Sequence, residues 1–193
     1  MQAHLAATDL ACRRGERLLF RGLSLECGPG DAVHVAGANG IGKSSLLRIL
    51  AGLLRPFAGS VDRTGAIGLV DDRLALDENL PLGRALEFWR QLERAGDSGR
   101  AIEALALGPL VDVPVRYLST GQRKRAALAR LVSGAPPIWL LDEPLNGLDS
   151  QAQAVCETLV AQHCDAGGIA VLASHQSFAL PSPRLIALAD YAA

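Results

Sequence analysis

The sequence has 193 residues, 49% of them hydrophobic, and a formal net charge of −1. This length predicts one domain with a sizeable core, and the balanced charge argues against a general nucleic-acid binder, which usually carries a basic excess. No apolar stretch approaches the length of a membrane span and no charged-then-apolar leader opens the chain, so we expect neither a membrane-spanning segment nor a secretion signal.

The cysteines and the isolated histidines show no metal-site or redox motif. Cys12, Cys27, Cys156 and Cys164 form no C-x-x-C pair and have no histidine at zinc spacing. We expect four reduced, mostly buried thiols, as in a protein of a reducing compartment. Three histidines lack any motif context and are interpreted as structural: His4, His34 and His163.

The chain begins with predicted β-structure. Leu5 to Leu10 and Arg17 to Leu25 read as strands, and the Cys27-Gly28-Pro29-Gly30-Asp31 segment is a strong turn signal. The apolar run from Ala32 to Ala36 then predicts a buried strand.

A phosphate-binding loop follows that strand and opens a predicted helix. The motif is G-x-x-x-x-G-K-S, formed by Gly37, Ala38, Asn39, Gly40, Ile41, Gly42, Lys43 and Ser44, with Ser45 next in the helix. The glycines let backbone N–H groups surround an anion, and the helix N-terminus adds positive potential. Lys43 is expected to reach the β- and γ-phosphates of a nucleotide, and the Ser44 hydroxyl to ligate Mg²⁺. The alternative is a glycine-rich turn that carries a lysine by chance.

The middle of the chain predicts a helical insertion. Short strands are predicted at 60–62 and 66–70, and Asp71-Asp72-Arg73 leaves the sheet. Helical signals then run from about Pro81 to Ser133, with breaks near Gly96, Gly108-Pro109 and Pro114. We therefore predict a single domain, 1–193, whose α/β core (1–71 and 134–193) receives a helical insertion at 72–133. One face of the insertion carries Leu82, Leu86 and Trp89, which pack in the core or dock a partner, and we favour the core.

Two motifs follow the insertion. Leu118, Ser119, Thr120, Gly121 and Gln122 lead into a helix, and Ser119-x-x-Gln122 is also a capping box. Ile138 to Leu141 predicts a buried parallel strand that delivers Asp142-Glu143 at its carboxyl end, where ligands bind in open α/β sheets. The alternative is a pair of solvated carboxylates at the end of a strand.

One more buried strand, Ile169 to Ala173, delivers Ser174-His175 to the same edge. A helix begins before it at Asp149-Ser150, and a last short strand is predicted from Arg184 to Leu188.

The motifs together resemble those of ABC-type ATPases (ATP-binding cassettes) over essentially the whole chain. Residues 118–122 are similar to the family's L-S-G-G-Q signature, with Thr120 in place of the first glycine, and Asn146-Gly147-Leu148-Asp149 resembles the D-loop. The resemblance implies an α/β P-loop NTPase with a RecA-like parallel-sheet core, an N-terminal antiparallel β part and an inserted helical subdomain. It also implies ATP and Mg²⁺, and an ATP-bound homodimer in which each signature faces the other subunit's γ-phosphate.

The resemblance assigns roles to individual residues. Glu143 would orient the attacking water, His175 would contact the γ-phosphate, and Lys43 would stabilise the transferring phosphoryl group. Mg²⁺ would be held by Ser44 and Asp142, and Asp149 would bridge the two subunits.

Two positions depart from the family pattern. Where an aromatic residue usually stacks on adenine the chain has Arg14, whose guanidinium can stack on the base at about 0.5–2 kcal/mol. Where the family has a glutamine after the strand at 66–70 the chain has Asp71 or Asp72. We favour Asp72 as the matching residue and as a possible further metal ligand.

Several stretches, 12–24, 47–53 and 174–176 among them, look like the ATP-binding subunit of the bacterial cytochrome c maturation system. This implies integral membrane partner subunits, a peripheral position at the cytoplasmic face of the inner membrane, and an ATP cycle that drives haem export or the release of haem from its chaperone. The alternatives are the ATPase subunit of another small-solute ABC transporter and a soluble, non-transport ABC ATPase. The chain has no coiled-coil insertion or basic arm, so we expect no nucleic-acid partner.

Overall fold

Two β-sheets and a helical region make up the part of the chain that the computed structural model describes, residues 2–93, 99–180 and 183–192. The strands are β1 (His4–Arg14), β2 (Arg17–Cys27), β3 (Ala32–Ala36), β4 (Ala58–Thr64), β5 (Ile67–Val70), β6 (Ile138–Asp142), β7 (Ile169–Ser174) and β8 (Arg184–Ala187). The α-helices are α1 (Lys43–Leu50), α2 (Leu82–Leu92), α3 (Gly99–Ala104), α4 (Thr120–Gly134) and α5 (Ser150–Asp165). Short 3₁₀ turns lie at Gly108–Leu110, Val115–Tyr117 and Leu188–Tyr191.

The larger sheet is parallel, with the strand order β5-β6-β7-β3-β8. Every residue of β6 and β7 is buried, as expected for central strands covered on both faces. The register pairs Ala36 with Ser174 and Asp142 with Ala173. The carboxyl ends of three neighbouring strands, each followed by a polar motif, therefore meet at one edge of the sheet.

The smaller sheet is antiparallel, with the order β2-β1-β4. Both β1 and β4 are longer than the predicted strands. The pairing of β1 is interrupted after Ala7, where Asp9 has a φ of 49° and its N–H donates to Ser24 Oγ at 2.9 Å. Further register shifts between Leu10 and Arg13 leave residues 10–12 buried in succession, which breaks the apolar–polar alternation, so the alternation ends before the strand does.

The antiparallel sheet packs its apolar face against α1. Leu5, Leu10 and Phe20 share one buried cluster with Leu46 and Leu50 of that helix. The sheet thus covers α1 from the side, and this contact holds the phosphate loop between the two sheets.

The helices between β5 and β6 pack on the other face of the parallel sheet. Leu82 and Leu86 of α2 are fully buried and Trp89 is partly buried against the same cluster, which confirms the prediction that these residues are core. The Arg130 guanidinium of α4 lies 3.9 Å from the Trp89 ring centroid and ties α2 to α4. The predicted break near Gly96 lies outside the described residues.

The four thiols are free, with Cys12, Cys27 and Cys156 buried and Cys164 partly buried, as predicted. Burial raises the pKa of Cys27 and Cys164 to about 11 and that of Cys156 to about 12, so these thiols are unreactive at neutral pH.

In the described ranges no helix is both long enough and apolar enough to span a bilayer.

Candidate active site

Lys43 forms hydrogen bonds across the phosphate loop to the backbone at the start of the motif. Lys43 is only 6% exposed, and its Nζ donates to the carbonyl oxygens of Gly37 at 2.7 Å and Ala38 at 3.3 Å. The helix α1 starts at Lys43 without a side-chain cap, so its first N–H groups stay available for an anion.

Gly42 needs to be glycine for two reasons. Its φ is 121°, which side-chain-bearing residues rarely adopt, and a Cβ there would lie 3.1 Å from Phe20 Cδ1 and 3.3 Å from Leu19 Cβ. Phe20 belongs to the antiparallel sheet, so that sheet fixes the shape of the loop from outside.

The two carboxylate oxygens of Glu143 contact three cationic or polar groups. Oε1 lies 3.3 Å from Lys43 Nζ, an ion-pair distance without hydrogen-bond alignment, and Oε2 accepts from His175 Nδ1 at 2.9 Å and Ser174 Oγ at 3.3 Å. Burial opposes ionisation of this carboxyl, but the contacts with His175 and Lys43 outweigh it and hold its pKa below the usual value. Glu143 is therefore a carboxylate at neutral pH.

The backbone of Glu143 is strained. Its φ is 45°, and its N–H donates to Ala173 O at 2.8 Å. A non-glycine residue in this conformation costs of the order of 1–3 kcal/mol, and strained residues of this kind are enriched at functional sites. Here it turns the chain at the end of β6 and directs the carboxylate towards Lys43 and His175.

Asp142, one residue earlier, is 8% exposed, and its Oδ1 is buried without a hydrogen-bond partner. Burial raises the pKa of Asp142, the Ser44 hydroxyl lowers it, and the charge of Glu143 raises it further. An unpartnered carboxylate oxygen beside a serine hydroxyl is a donor set that suits Mg²⁺, which is usually bound by one or two protein oxygens and substrate phosphates. The described residues contain no group of three or more His, Cys, Asp or Glu that could hold a metal ion.

The signature segment forms the capping box that the sequence predicts. Ser119 Oγ accepts from Gln122 N at 3.3 Å, and Gln122 Oε1 accepts from Ser119 N at 2.8 Å. A methyl group on Gly121 would collide with the Gly147 carbonyl oxygen. The signature and the segment 146–149 are therefore in direct backbone contact.

Three consecutive cations after the signature, which were not predicted as site residues, anchor α4 to three separate segments of the chain. Arg123 Nη2 donates to Arg116 O at 2.9 Å, Lys124 Nζ to Asp142 O at 3.3 Å, and Arg125 Nη1 to Leu105 O at 3.0 Å. Burial lowers the pKa of Lys124. The signal in the sequence is geometric: successive helical residues point about 100° apart, so three adjacent cations cannot share one solvated face.

Asp71 and Asp72, one of which stands where the family has a glutamine, both bind the same arginine. Arg48 Nη2 of α1 donates to Asp71 Oδ2 at 2.9 Å and to Asp72 Oδ1 at 3.1 Å. The Asp71 side chain is 11% exposed, whereas that of Asp72 is 81% exposed.

The remaining site candidates lie at the edges. Arg14 is exposed at the end of β1, and it lies opposite Arg17 in the backbone register of the β1–β2 hairpin. Asp149 is the N-cap of α5, and its Oδ1 accepts from Ala152 N at 2.8 Å.

The three histidines outside the motifs have structural contacts. His4 Nε2 lies 3.4 Å from Glu26 Oε1, and His34 is buried with its Nε2 3.4 Å from Ser174 O. His163 stacks on Trp139 with ring centroids 4.0 Å apart.

A cavity of about 800 Å³ lies between the end of the phosphate loop, the carboxyl end of β6 and the helical region. Its lining includes Ser44, Arg48, Asp71, Thr120, Lys124 and Glu143. Beside the anion-binding loop, of which Ser44 lines the cavity, lie the ionised Glu143 carboxylate and a buried Asp142 oxygen suited to a hard cation. This set can bind the phosphates of a nucleotide and polarise a water molecule beside them.

Comparison with known proteins agrees with this chemistry. The family model for ABC transporters matches residues 20–146. Three proteins named cytochrome c biogenesis ATP-binding export protein CcmA are similar over nearly the whole chain. That of Novosphingobium aromaticivorans is 59% identical over 97% of this chain and 96% of its own length; the values are 51%, 94% and 94% for Sphingopyxis alaskensis, and 47%, 99% and 87% for Zymomonas mobilis.

Two solved structures share the fold. One is a metal-chelate type ABC transporter in an inward-facing conformation, with a TM-score of 0.76, 26% identity and coverage of 91% of this chain and 74% of its own. The other is a dimeric ATP-binding cassette bound to ADP and Pi in a post-hydrolysis state, with a TM-score of 0.76, 25% identity and coverage of 89% and 88%. The predicted fold class is confirmed. The chain belongs to the ABC transporter family and, within it, to the group of the cytochrome c biogenesis ATP-binding export proteins CcmA.

Proposed function

We propose that the chain is the ATP-hydrolysing subunit of a membrane complex for cytochrome c biogenesis, in which its ATP cycle drives haem export or the release of haem from its chaperone. The names of the near-full-length relatives support the biological setting. The observation that carries the enzymatic part is the Glu143 carboxylate, held by Lys43 on one side and His175 on the other.

Catalysis is proposed to begin with an exchange of partners at Lys43. The loop N–H groups bind the ATP phosphates, and the Lys43 ammonium leaves the Gly37 carbonyl and the Glu143 carboxylate for the more highly charged β- and γ-phosphates. Glu143 then keeps His175 as its partner and has one oxygen free to accept a hydrogen bond from the attacking water.

The charge that develops on the transferring phosphoryl group is stabilised by the loop, Lys43 and His175. Ser44 and the unpartnered Oδ1 of Asp142 would hold Mg²⁺, which when bound neutralises phosphate charge. Glu143 orients the water and accepts its proton, which is a contribution of about 10²–10⁴ in rate.

We propose that two chains enclose two ATP molecules. The N-terminus of α4, with Ser119, Thr120 and Gly121, would face the γ-phosphate bound by the partner subunit, and Asp149 would lie at the junction. The tight contact of Gly121 with Gly147 supports joint movement of these two segments. Arg14 is proposed to stack on the adenine.

We place the complex at the cytoplasmic face of the bacterial inner membrane, with this chain bound peripherally to integral membrane subunits. The outward side of α2 supports such a contact, because Phe88 is 56% exposed and Leu92 is 62% exposed.

The decisive experiment deletes the gene in its host and counts covalent c-type cytochromes on a haem-stained gel. The strain is complemented with the wild-type chain or with Glu143→Gln. We expect loss of all c-type haem, restored by the wild type alone.

Normal c-type cytochromes in a deletion strain without a second maturation system would refute the proposed setting. Copurification with another membrane subunit would then identify a small-solute transporter, and ATPase activity stimulated by nucleic acid would identify a soluble ABC protein.

A further inference from the structure

The acidic pair Asp71-Asp72 and the cation that binds it have no role in the hydrolysis described above. We propose that Arg48, Asp71 and Asp72 form a salt-bridge latch that sets the position of the helical insertion relative to the phosphate loop, and thereby the ATP concentration at which two chains close. The proposal rests on the ATP-bound dimer of the proposed function.

The first support is the position of the three residues in the chain. Arg48 lies in α1, which begins at the phosphate-loop lysine, Lys43. Asp71 and Asp72 are the first residues after β5, where the chain leaves the sheet towards α2. The ion pairs therefore join the helix that senses the phosphates to the start of the helical insertion.

The second support is the bonding of the Asp71 carboxylate. Oδ2 accepts from Arg48 at 2.9 Å, and Oδ1 accepts from the N–H of Arg73 at 2.9 Å. Because both oxygens are used, the carboxylate fixes the direction of the chain at Arg73 as well as its distance from α1. The far end of the same connection is also tied, since Arg123 of α4 donates to Glu78 Oε1 at 3.2 Å.

The third support is the charge around the acidic pair. Arg48 and Lys124 each interact electrostatically with Asp71, Asp72 and Asp142, and the Arg48 guanidinium also binds Asp71 and Asp72 directly. A glutamine in place of Asp72 would be neutral and could not form an ion pair with Arg48. The two aspartates therefore give the site an ionic link between α1 and the insertion that an amide side chain cannot supply.

The test measures ATP-dependent dimerisation by size-exclusion chromatography with light scattering, in chains that also carry Glu143→Gln so that ATP persists. Arg48→Met and Asp71→Asn are each expected to raise the half-dimerising ATP concentration about fivefold, the upper range for a partly exposed ion pair. The Arg48→Met/Asp71→Asn double variant is expected to match Arg48→Met, because Arg48→Met alone already removes the ion pair that Asp71→Asn removes. Arg48→Lys, which keeps the charge, is expected to lie near the parent.

Matched controls are Arg21→Met and Asp62→Asn, both at exposed positions of the antiparallel sheet. Unchanged dimerisation in Arg48→Met, or independent effects that multiply in the double variant, would overturn the latch. If the Glu143→Gln parent itself stays monomeric with ATP, the dimer of the proposed function fails instead. If Arg48→Met does not fold, the two separate variants Asp71→Asn, which breaks the ion pair, and Arg48→Lys, which keeps the charge, decide whether the latch exists.

A second measurement separates the latch from a metal site. If Asp72 ligates Mg²⁺, then Asp72→Asn raises the half-saturating Mg²⁺ concentration of ATP hydrolysis by about tenfold or more. A latch residue leaves it within about twofold. The first result would overturn the assignment of Asp72 to the latch.

Discussion

At the scale of single residues, Glu143 is the group on which we propose that turnover depends. We expect Glu143→Gln to bind ATP, to form a stable ATP-bound dimer and to lose about 10²–10⁴ in hydrolysis rate, because the amide keeps the shape but cannot accept the proton of water. Phosphate release and light scattering on the same preparation measure both effects. A variant that keeps more than about a tenth of the wild-type rate would contradict the role of this carboxylate.

His163 provides a residue-scale prediction for stability. Burial lowers its pKa below the usual 6.5, and bonds to the Ile169 and Pro137 carbonyls only partly offset this. Because the folded chain binds the proton less readily than the unfolded chain, His163 weakens folding as the pH falls below about 6.5. We expect His163→Phe, which keeps the stack on Trp139, to reduce the loss in melting temperature between neutral and mildly acidic pH.

The measurement for His163 is a melting curve at several pH values, with His4→Phe as the control because His4 lies on the surface beside Glu26. An equal dependence on pH in His163→Phe and the wild type would show that another group is responsible.

Residue motifs show how far a sequence predicts a site. That Lys43, Asp142, Glu143 and His175 lie near one another could be predicted, because each lies at or after the carboxyl end of a buried strand whose position is fixed by the sheet. Arg48 and Lys124 were missed because their partners, Asp71 and the Asp142 carbonyl, are 23 and 18 positions away in the chain. Tertiary contacts of this kind leave no periodic signal.

At the scale of elements, the backbone contact between Gly121 and Gly147 links α4 to the segment before α5. We expect Gly121→Ala to push the two apart, to abolish ATP-dependent dimerisation and to reduce hydrolysis, while ATP binding to the single chain persists. Gly108→Ala is the matched control, because a Cβ there has no neighbour within 4 Å and Gly108 does not have a positive φ. A Gly121→Ala variant that still dimerises normally would show that this contact is not needed for closure.

The elements themselves were predicted unequally. Buried runs such as 138–141 and 169–173 identify parallel strands because both faces are covered. The antiparallel strand β1 was predicted too short, since register shifts between Leu10 and Arg13 leave residues 10–12 buried in succession and interrupt the pattern, while the hydrogen-bonded ladder continues to Arg14.

At the scale of the whole molecule, nucleotide binding should stabilise the fold as a unit, because the phosphate loop lies against Phe20 of one sheet and joins β3 of the other. A ligand at about 100 times its dissociation constant adds about 2.7 kcal/mol, which corresponds to a rise of about 5–10 °C in melting temperature for a chain of this size. We expect that rise for Glu143→Gln with ATP and Mg²⁺, and none for Lys43→Ala.

Dimer closure adds a further signature to this stabilisation. If ATP joins two chains, the melting temperature of Glu143→Gln with ATP rises with protein concentration, since dissociation accompanies unfolding. Gly121→Ala in the same background should still bind ATP and show the rise in melting temperature that ATP binding causes. Its melting temperature should, however, no longer depend on protein concentration. A melting temperature that is independent of protein concentration in the parent would mean that one chain alone forms the complete ATP site.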